Sequence, residues 1–447
     1  MNFSECFQQT SDLVAYSPDG NFVANAVQYR LVVRDAETLQ VARMFTCVDV
    51  LQFLQWSPDS QFILCALYDR GIIQIWNIEH SEWNCKIDEG SAGLIDACWS
   101  SDSRHILTTW QFYLRITVWS LAAKTVSYIK YPKNCPKNKS FSRDGKFLAL
   151  LERRDFQDCI SIFNVNSNWQ LHKHFQCETE DANGIEWIPD GSGVVVWESL
   201  IPNNLIVYDM QGVKKANFQP TSSTAGFRCL QFDKSASLLA AGSFDGRLFI
   251  LNTVTWKALC IRGHETEIDS VDTIVYRQEN KTPDLSLKDL KSIRQSMQSH
   301  YALVDDKKTE LPLKEICEQT EVATGISRLG FSHNSQFLYT VNDAHPQCLF
   351  IWKISEIFKL HSVLIHKESI TDIAWDPNET RLALATTCNN LFMWSPSGSL
   401  CVRIPSTPNI MNVSGLCWNK NSKSLALMGS GSYCVCFFSS DKRLSEA

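Results

Sequence analysis

The most restrictive feature of this sequence is a repeat, an aromatic residue followed by a short polar turn. It occurs at nine positions: Tyr16, Trp56, Trp99, Phe141, Trp187, Phe232, Phe331, Trp375 and Trp418. Successive copies lie 40 to 46 residues apart, except for one interval of 99 residues between Phe232 and Phe331. A period in this range is typical of four-stranded sheets that stack side by side. The long interval is one period plus an insertion.

A second marker lies about 20 residues after the first and ends a short apolar run. Four tryptophans occupy it, at positions 76, 119, 352 and 394, so nine of the 14 tryptophans fall at two positions of one repeat. In the second copy, Phe62–Leu67 and Ile72–Trp76 are apolar almost throughout and are separated by a turn that ends at Gly71. Such runs predict strands that are covered on both faces. The units must therefore stack radially, as blades of a β-propeller.

The repeat resembles that of the WD-repeat β-propeller family, although its copies are degenerate. The family's Gly-His pair occurs once, at Gly263-His264, and no copy ends in Trp-Asp. We therefore expect most of the family's buried histidine–aspartate networks to be missing. Nine copies predict an all-β, WD40-type fold, a single closed ring of about nine four-stranded blades. Eight blades plus an irregular unit, or two lobes, are the alternatives.

The two ends of the sequence predict how the ring closes. The last copy supplies three strands, and an apolar stretch at residues 3–9 precedes the first copy. Pairing that stretch as the outer strand of the last blade would leave no open sheet edge. The predicted domains are blades 1 to 6 with this closing strand (1–269), an insertion (270–325), blades 7 to 9 (326–440) and a tail (441–447).

The insertion differs in composition from the rest of the chain. It is rich in charged residues, and its middle, SLKDLKSIRQSMQSHYALV, has an apolar stripe at helical spacing: Leu287, Leu290, Ile293 and Met297. This pattern predicts a helix. The helix either lies on the rim of the propeller or docks a partner's helix or coiled coil through the stripe; a disordered loop is the third interpretation.

Composition excludes several classes of protein. With 42 basic and 48 acidic residues the formal net charge is −6, which argues against a general nucleic-acid binder. No apolar run is long enough to span a membrane, and the first residues lack a signal-peptide core. The 17 cysteines are odd in number and form no C-x-x-C pair, so we expect buried thiols in the cytosol rather than disulfides or a zinc site.

No motif indicates catalysis, a metal or a cofactor, so we expect no enzyme. The aspartates that recur in the polar turns are explained by turn hydrogen bonds: Asp19, Asp59, Asp102, Asp144 and Asp190. One basic segment, YIKYPKNCPKNK, carries Lys130, Lys133, Lys137 and Lys139 together with Pro132 and Pro136. Prolines favour a loop, so these lysines are predicted to be exposed. They either contact an acidic surface or are simply solvated.

Three long segments resemble the WRAP family of centrosomal WD-repeat proteins. They are NFSECFQQTSDLVAYSPDGNFVANAVQYRLVVRD, WSPDSQFILCALYDRGIIQIWNI and GFRCLQFDKSASLLAAGSFDGRLFILNTVTWKAL. The resemblance implies a non-enzymatic scaffold that works with a coiled-coil, SSX-interacting adaptor at centrosomes and centriolar satellites. It implies roles in anchoring spindle microtubules, in setting spindle length and orientation, and in docking ciliary vesicles at basal bodies. A minus-end-directed kinesin is a further implied partner.

A second hypothesis comes from a different class of protein. Some nine-bladed propellers bind RNA or ribosomal surfaces in translation, and this chain has nine copies of the repeat. The negative net charge weighs against that interpretation, because non-specific affinity for nucleic acid comes mainly from lysine and arginine contacts to phosphate.

Overall fold

The computed structural model describes residues 1–90, 93–198, 203–220, 226–269, 272–280, 299–304, 308–314, 325–405 and 411–438. These residues form β-strands and turns, and no α-helix occurs among them. The first 22 strands are β1 Asn2–Phe3, β2 Phe7–Gln8, β3 Val14–Tyr16, β4 Phe22–Val27, β5 Arg30–Asp35, β6 Val41–Thr46, β7 Phe53–Trp56, β8 Phe62–Leu67, β9 Ile72–Asn77, β10 Asn84–Asp88, β11 Leu94–Trp99, β12 His105–Trp110, β13 Arg115–Ser120, β14 Val126–Lys130, β15 Lys139–Phe141, β16 Phe147–Arg154, β17 Gln157–Asn164, β18 Gln170–Gln176, β19 Ala182–Trp187, β20 Gly193–Glu198, β21 Leu205–Asp209 and β22 Lys214–Phe218. The others are β23 Phe227–Phe232, β24 Leu238–Ser243, β25 Leu248–Asn252, β26 Ala258–Arg262, β27 Glu267–Asp269, β28 Ile274–Asn280, β29 Ser299–Leu303, β30 Lys308–Glu310, β31 Ile326–Phe331, β32 Phe337–Asn342, β33 Cys348–Lys353, β34 Lys359–Ile365, β35 Ile370–Trp375, β36 Leu382–Thr386, β37 Asn390–Ser395, β38 Gly398–Arg403, β39 Val413–Trp418, β40 Ser424–Gly429 and β41 Ser432–Phe437.

Nine blade sheets account for most of these strands. Blades 1 to 6 are β3–β6, β7–β10, β11–β14, β15–β18, β19–β22 and β23–β26; blades 7, 8 and 9 are built on β31–β34, β35–β38 and β39–β41. Within each blade, strands that follow one another in the chain pair side by side. This is the WD40-type β-propeller with nine blades that the repeat predicts.

The chain divides into two compact units. Unit 1 comprises Met1–Ala42, His264–Val322 and Arg328–Ala447, and unit 2 comprises Arg43–Gly263 and Ala323–Ser327. Blades 7 to 9 lie in unit 1, apart from the start of β31, together with blade 1 as far as Ala42; blades 2 to 6 lie in unit 2.

The core is distributed between consecutive blades, which explains why the strands are apolar almost throughout. In unit 2 every residue of β20 is buried. Val194 and Val196 pack into a cluster with blade 4, whereas Val195 and Trp197 pack into a cluster with blade 6. Successive side chains of a strand point to opposite faces, so a sheet covered on both faces must be apolar at every position.

Three of the five tryptophans at the first marker link their blade to the preceding one. The indole Nε1 of Trp99 donates a hydrogen bond to the carbonyl oxygen of Gln55, at 3.1 Å. In unit 1, Trp418 donates to the carbonyl of Ala374 at 3.0 Å, and Trp375 donates in the same way to blade 7. A tryptophan here both fills the space between blades and satisfies a backbone acceptor on the neighbouring strand.

Blade 7 has a hydrogen-bond network around the histidine of the Gly-His pair. His264 Nε2 lies 2.8 Å from Thr340 Oγ1, and Trp352 Nε1 donates to the same oxygen at 2.8 Å. The histidine of the single Gly-His pair therefore shares a hydroxyl partner with Trp352, the tryptophan at the second marker of the same blade.

Blade 3 has an acidic substitute for that histidine. Glu89 is buried and accepts hydrogen bonds from the Thr108 hydroxyl, from Trp110 Nε1 at 2.5 Å and from Trp119 Nε1 at 2.9 Å. From the sequence, we expect most of the family's buried histidine–aspartate networks to be missing. In blade 3 a carboxylate replaces the imidazole instead, because it can accept several donors at once.

The start of the chain pairs beside the last blade, within unit 1. Asn2 and Phe3 of β1 lie opposite Phe437 and Cys436 of β41, and β2 pairs farther along the same strand. The buried amide of Gln9 donates to the carbonyl of Gly429 at 2.8 Å. The outer edge of β41 is thus covered by residues from the other end of the sequence.

The predicted helical insertion is wrong where the structure describes it. β28 pairs in parallel with β34, the outer strand of blade 7, and β29 pairs antiparallel with β28. Blade 7 is therefore a six-stranded sheet, in the order β29-β28-β34-β33-β32-β31. The open edge of β34 offers unpaired backbone groups, which favour strand addition over a helix. Helical spacing in the sequence carries no information about such an edge.

Tyr301 of β29 attaches this added hairpin to blade 8. Its ring packs against Phe392, with ring centroids 5.6 Å apart, and its hydroxyl lies 2.6 Å from His366 Nε2. The other ring nitrogen of His366 faces the carbonyl of Gln347 at 3.2 Å. A carbonyl only accepts, so Nδ1 carries the proton and Nε2 accepts from the tyrosine.

This geometry predicts an acid-sensitive attachment. Burial lowers the pKa of His366 to about 4, whereas a histidine in the unfolded chain titrates near ~6.5. The unfolded state therefore takes up a proton first as the pH falls. The contribution of His366 to stability is complete above pH ~6.5 and is lost as the pH falls to about 4, a change of about 3 kcal/mol.

We expect denaturation by urea to show this loss. Between pH 6.5 and 4, the free energy of unfolding should fall more steeply for the wild-type chain than for His366→Gln, because glutamine does not titrate in that range. Parallel curves for the two proteins would contradict the assignment.

Candidate partner-binding surface

The turn aspartates have the structural role that the sequence predicts. The hydroxyls of Ser57 and Ser142 donate to Asp59 and Asp144 at 2.6 and 2.7 Å. The hydrogen bond from Ser142 is the main cause that lowers the pKa of Asp144 to about 2. Backbone amides in the same turns donate to the carboxylates as well. Turn formation accounts for these residues without any catalytic chemistry.

Three of the four lysines in the predicted basic loop are used in ion pairs. Lys133 is buried, with only 5% of its surface exposed, and its ammonium lies 2.7 Å from Asp158. Lys137 pairs with Glu186 at 2.7 Å, and Lys139 pairs with Asp96. The expectation that these lysines are exposed is therefore wrong for Lys133. Lys137 and Lys139 are only partly exposed, whereas Lys130, on β14, is exposed as predicted. Contact with an acidic partner through this loop stays a prediction.

The reason for this difference is a buried carboxylate on the neighbouring strand. Asp158 is fully buried at the start of β17 and accepts hydrogen bonds from Lys133, from Arg153 at 3.0 Å and from the backbone amide of Ala182 at 2.7 Å. A buried carboxylate requires such partners, and the loop supplies one of them. The prolines in the sequence predict a loop for these lysines, but they give no information about the buried carboxylate of Asp158.

Above this charge network, the ends of blades 3 and 4 expose four large apolar side chains. Phe112 is 81% exposed, Leu114 61%, Tyr131 54% and Phe156 92%. We call these four residues the blade 3–4 patch. All of them lie in unit 2, in two strand-connecting turns and in the loop that joins the two blades. Exposure of a single apolar residue is ordinary, but a group of them on adjacent loops indicates an interaction site.

Backbone contacts hold three elements of the patch side by side. The amide of Tyr131 donates to the carbonyl of Leu114 at 3.3 Å, and the amide of Arg153 donates to the carbonyl of Tyr131 at 3.2 Å. The guanidinium of Arg154 lies over the Tyr131 ring, 5.3 Å from its centroid. The loop between the blades is therefore fixed to both hairpins, and its exposed ring is pre-positioned.

The turns that carry the two phenylalanines are strained. Asp155 and Phe156 connect β16 to β17 with φ of 48° and 63°, and Phe112 has a φ of 61°. A two-residue hairpin turn with both φ values positive favours Asn-Gly or Asp-Gly, so phenylalanine takes a position that suits glycine. Each such residue costs about 1 kcal/mol or more. Buried Trp169 has a positive φ as well, at 59°, so the case for binding rests on the exposure of the two rings.

The patch suits macromolecular recognition rather than chemistry. Its apolar centre is bordered by charges of both signs, with Arg154 and Asp155 exposed beside Phe156. An apolar, aromatic centre with a charged border is the usual anatomy of a protein–protein interface. Among the residues with assigned positions, no group of three metal-binding side chains occurs. No helix in the described ranges is long and apolar enough to cross a membrane.

The stripe predicted to bind a partner, Leu287, Leu290, Ile293 and Met297, lies outside the described residues. Its role stays a prediction. The blade 3–4 patch is not evident from the sequence, because isolated apolar residues in polar turns carry no periodic signal. The segments QFYL, at 111–114, and RDFQ, at 154–157, place phenylalanine at turn positions that favour glycine. These two phenylalanines are the sequence signal that points to the patch.

Comparison with known proteins assigns the chain to a family. A mouse protein, WD repeat-containing protein WRAP73, is 42% identical to it over 455 residues, which cover 100% of this chain and 98% of the mouse protein. The chain belongs to the WRAP73 family of WD repeat proteins. A second relative has lower identity: a WD repeat-containing protein of Schizosaccharomyces pombe is 23% identical over 402 residues, which cover 87% of this chain and 79% of the yeast protein. No family model matches the chain.

Solved structures agree with the propeller fold of the WRAP73 family member described here. The C-terminal WD40 domain of Sif2 is 10% identical, with a TM-score of 0.52 and coverage of 98% of both chains. The Dos1 propeller is 12% identical, with a TM-score of 0.54 and coverage of 86% of this chain and 92% of the other. These similarities show the fold alone. Membership in the WRAP73 family and the WD40 propeller together fit a protein-interaction scaffold.

Proposed function

We propose that this chain is a non-enzymatic scaffold that holds a coiled-coil, SSX-interacting adaptor at the centrosome and centriolar satellites. In that complex it anchors spindle microtubules, controls spindle length and orientation, and supports ciliogenesis by ciliary vesicle docking. The single structural observation that carries the scaffold role is the blade 3–4 patch, in which Phe112 and Phe156 are 81% and 92% exposed. The cellular part of the proposal comes from the resemblance to the WRAP family.

The patch supports a helical partner for a physical reason. A coiled-coil or amphipathic helix carries apolar side chains at regular spacing along one face, and protruding aromatic rings insert between them. The rings at Phe112, Tyr131 and Phe156 come from three separate loops of unit 2, each fixed by its own turn. Rigid aromatic anchors lose little conformational entropy on binding, so a few of them supply most of the affinity.

Proximity labelling tests the cellular proposal. The full-length chain, fused to a labelling enzyme and expressed in dividing cells, should label centrosomal and satellite proteins, including the coiled-coil adaptor and a minus-end-directed kinesin. Labelling of ribosomal proteins, together with co-sedimentation with polysomes that is lost at moderate salt, would instead support the translational role. The formal net charge of −6 is the reason that we expect the first result.

The insertion offers a second contact for the same adaptor, and its contribution is separable. If the stripe binds the partner, changing Leu290 and Ile293 to Asp should abolish co-precipitation of the adaptor and leave the melting temperature nearly unchanged. Charge in an apolar binding face is costly, which gives the expected direction. Full retention of the adaptor would exclude the stripe and leave the blade loops as the binding site.

A further inference from the structure

Unit 2 contains a groove on the outer side of blades 2 and 3, away from the blade 3–4 patch. It runs between β10 and the turn that joins β13 to β14, and has a volume of about 450 Å³. Its lining combines apolar and polar side chains: Trp83, Asn84, Cys85, Lys86, Ile87, Trp119, Ser120, Leu121, Lys124, Thr125 and Val126. Trp83 is 37% exposed, and Val126 is 36% exposed. The groove therefore presents apolar surface that solvent reaches.

The charge of the groove is of one sign. Its lining contains two lysines, Lys86 and Lys124, and no carboxylate. Lys124 is near enough to Cys85 to oppose part of the rise that burial causes in the pKa of that thiol. Lys86 faces Asp88 outside the lining, at 3.7 Å, with both side chains about half exposed, so that pair is weak. An apolar groove with two ammonium groups complements a segment that carries both apolar and acidic side chains.

The edge of the groove is an unpaired strand. β10 is the terminal strand of its sheet, in the order β10-β9-β8-β7. The corresponding outer strand of blade 7 is β34. There the chain's own β28 adds as a parallel strand, with Ile274 opposite Ser362 and Arg277 opposite Ile365. This chain thus shows directly that the outer edge of one of its blades accepts a further strand. In blade 2, nothing among the described residues fills that role.

We propose that this groove binds an extended, acidic segment of a partner protein, which adds as a strand to the free edge of β10. Backbone hydrogen bonds to β10 supply register, an apolar side chain of the segment packs against Trp83 and Val126, and its carboxylates face Lys86 and Lys124. The site is separate from the blade 3–4 patch, so it extends the proposed function and does not depend on it.

A binding measurement with a defined peptide tests this site. The probe is a fluorescein-labelled peptide, EEIEFEE, with KKIKFKK as its charge-reversed counterpart, and fluorescence anisotropy reports binding to the full-length chain. The acidic peptide should bind and the basic peptide should not. Changing Lys86 and Lys124 together to Glu should weaken binding by about tenfold or more at low salt. Lys257→Glu, an exposed lysine before β26 in blade 6, is the matched control and should change affinity less than about twofold.

A second measurement locates the peptide and guards against misfolded variants. Cys85 lines the groove, whereas Cys6 is exposed elsewhere. In the wild-type chain, saturating acidic peptide should slow alkylation of Cys85 by N-ethylmaleimide severalfold and leave Cys6 unaffected, as read by peptide mass spectrometry.

Val126→Asp should also weaken binding of the acidic peptide. Equal affinity of the Lys86/Lys124 variant and the control, or no protection of Cys85, would overturn the proposal. Loss of binding on changing Phe112 and Phe156 would place the peptide at the other surface and overturn it as well.

Discussion

Replacing Asp158 with alanine should lower the free energy of unfolding of unit 2 by about 3–5 kcal/mol. The carboxylate is fully buried and accepts from Lys133, Arg153, the Thr179 hydroxyl and the amide of Ala182. Alanine leaves the buried ammonium of Lys133 with Asp181 as its ion-pair partner, at 2.8 Å, and the side chain of Asp181 is 61% exposed. It also leaves the buried amide of Ala182 without its acceptor. A buried ammonium that faces only a solvent-screened carboxylate is poorly compensated, and the unpaired amide adds to the cost.

Two companion variants check the cause of that loss, with urea denaturation as the measurement. Asp190→Ala removes an exposed turn aspartate of blade 5, which accepts from the Ser192 amide, and should cost no more than about 1 kcal/mol. Lys133→Met keeps the length of the side chain and leaves Asp158 bonded to Arg153 and Ala182, so it should cost less than Asp158→Ala. If Lys133→Met were the more damaging change, the lysine rather than the carboxylate would be the centre of the network.

Replacing both Phe112 and Phe156 with glycine should separate binding from stability. Both residues have φ near 60°, at 61° and 63°, where glycine is unstrained. Relief of strain offsets the greater entropy of glycine in the unfolded chain, so the free energy of unfolding should stay within about 1 kcal/mol of the wild-type value. The affinity for the coiled-coil adaptor should nevertheless fall by about 1,000-fold, because two aromatic anchors of about 2 kcal/mol each are removed.

The matched control is Val254→Ser, at an apolar residue that is 84% exposed in a turn of blade 6. It should leave affinity unchanged. Isothermal titration of the adaptor against the three proteins gives the comparison, and thermal melts report folding. Unchanged affinity of the double glycine variant would remove the blade 3–4 patch from the binding site and direct attention to the insertion.

Much of the fold follows from local sequence. The aromatic positions at intervals of 40 to 46 residues define the blades, since each copy supplies strands that only neighbouring copies cover. Turn chemistry is equally local: Gly71 has a φ of 63°, as its place after Tyr68–Arg70 predicts. The insertion is where local patterning failed. Helical spacing predicted a helix that runs to Val304, but β29 begins at Ser299, because β28 pairs with the edge of β34.

The candidate binding surfaces depended far more on tertiary structure. Lys130, Lys133, Lys137 and Lys139 form one basic segment in the sequence, and the fold distributes the last three of them among separate acidic partners. Long-range ion pairs leave no periodic trace, so the sequence could not show that Lys133 is buried. The blade 3–4 patch brings together residues that lie up to 44 positions apart, from Phe112 to Phe156.

By itself, the sequence determined the class of this protein: an all-β chain of nine similar blades, without a recognisable catalytic motif, in the WRAP family. It could do so because blade formation depends on apolar runs, turn residues and a constant period, all of which are local. Only the tertiary structure decided which side chains stay available to a partner. Strand pairing at sheet edges and ion pairing between buried charges join residues that are distant in the chain. Phe112, Phe156 and the groove between blades 2 and 3 stay exposed outside those pairings.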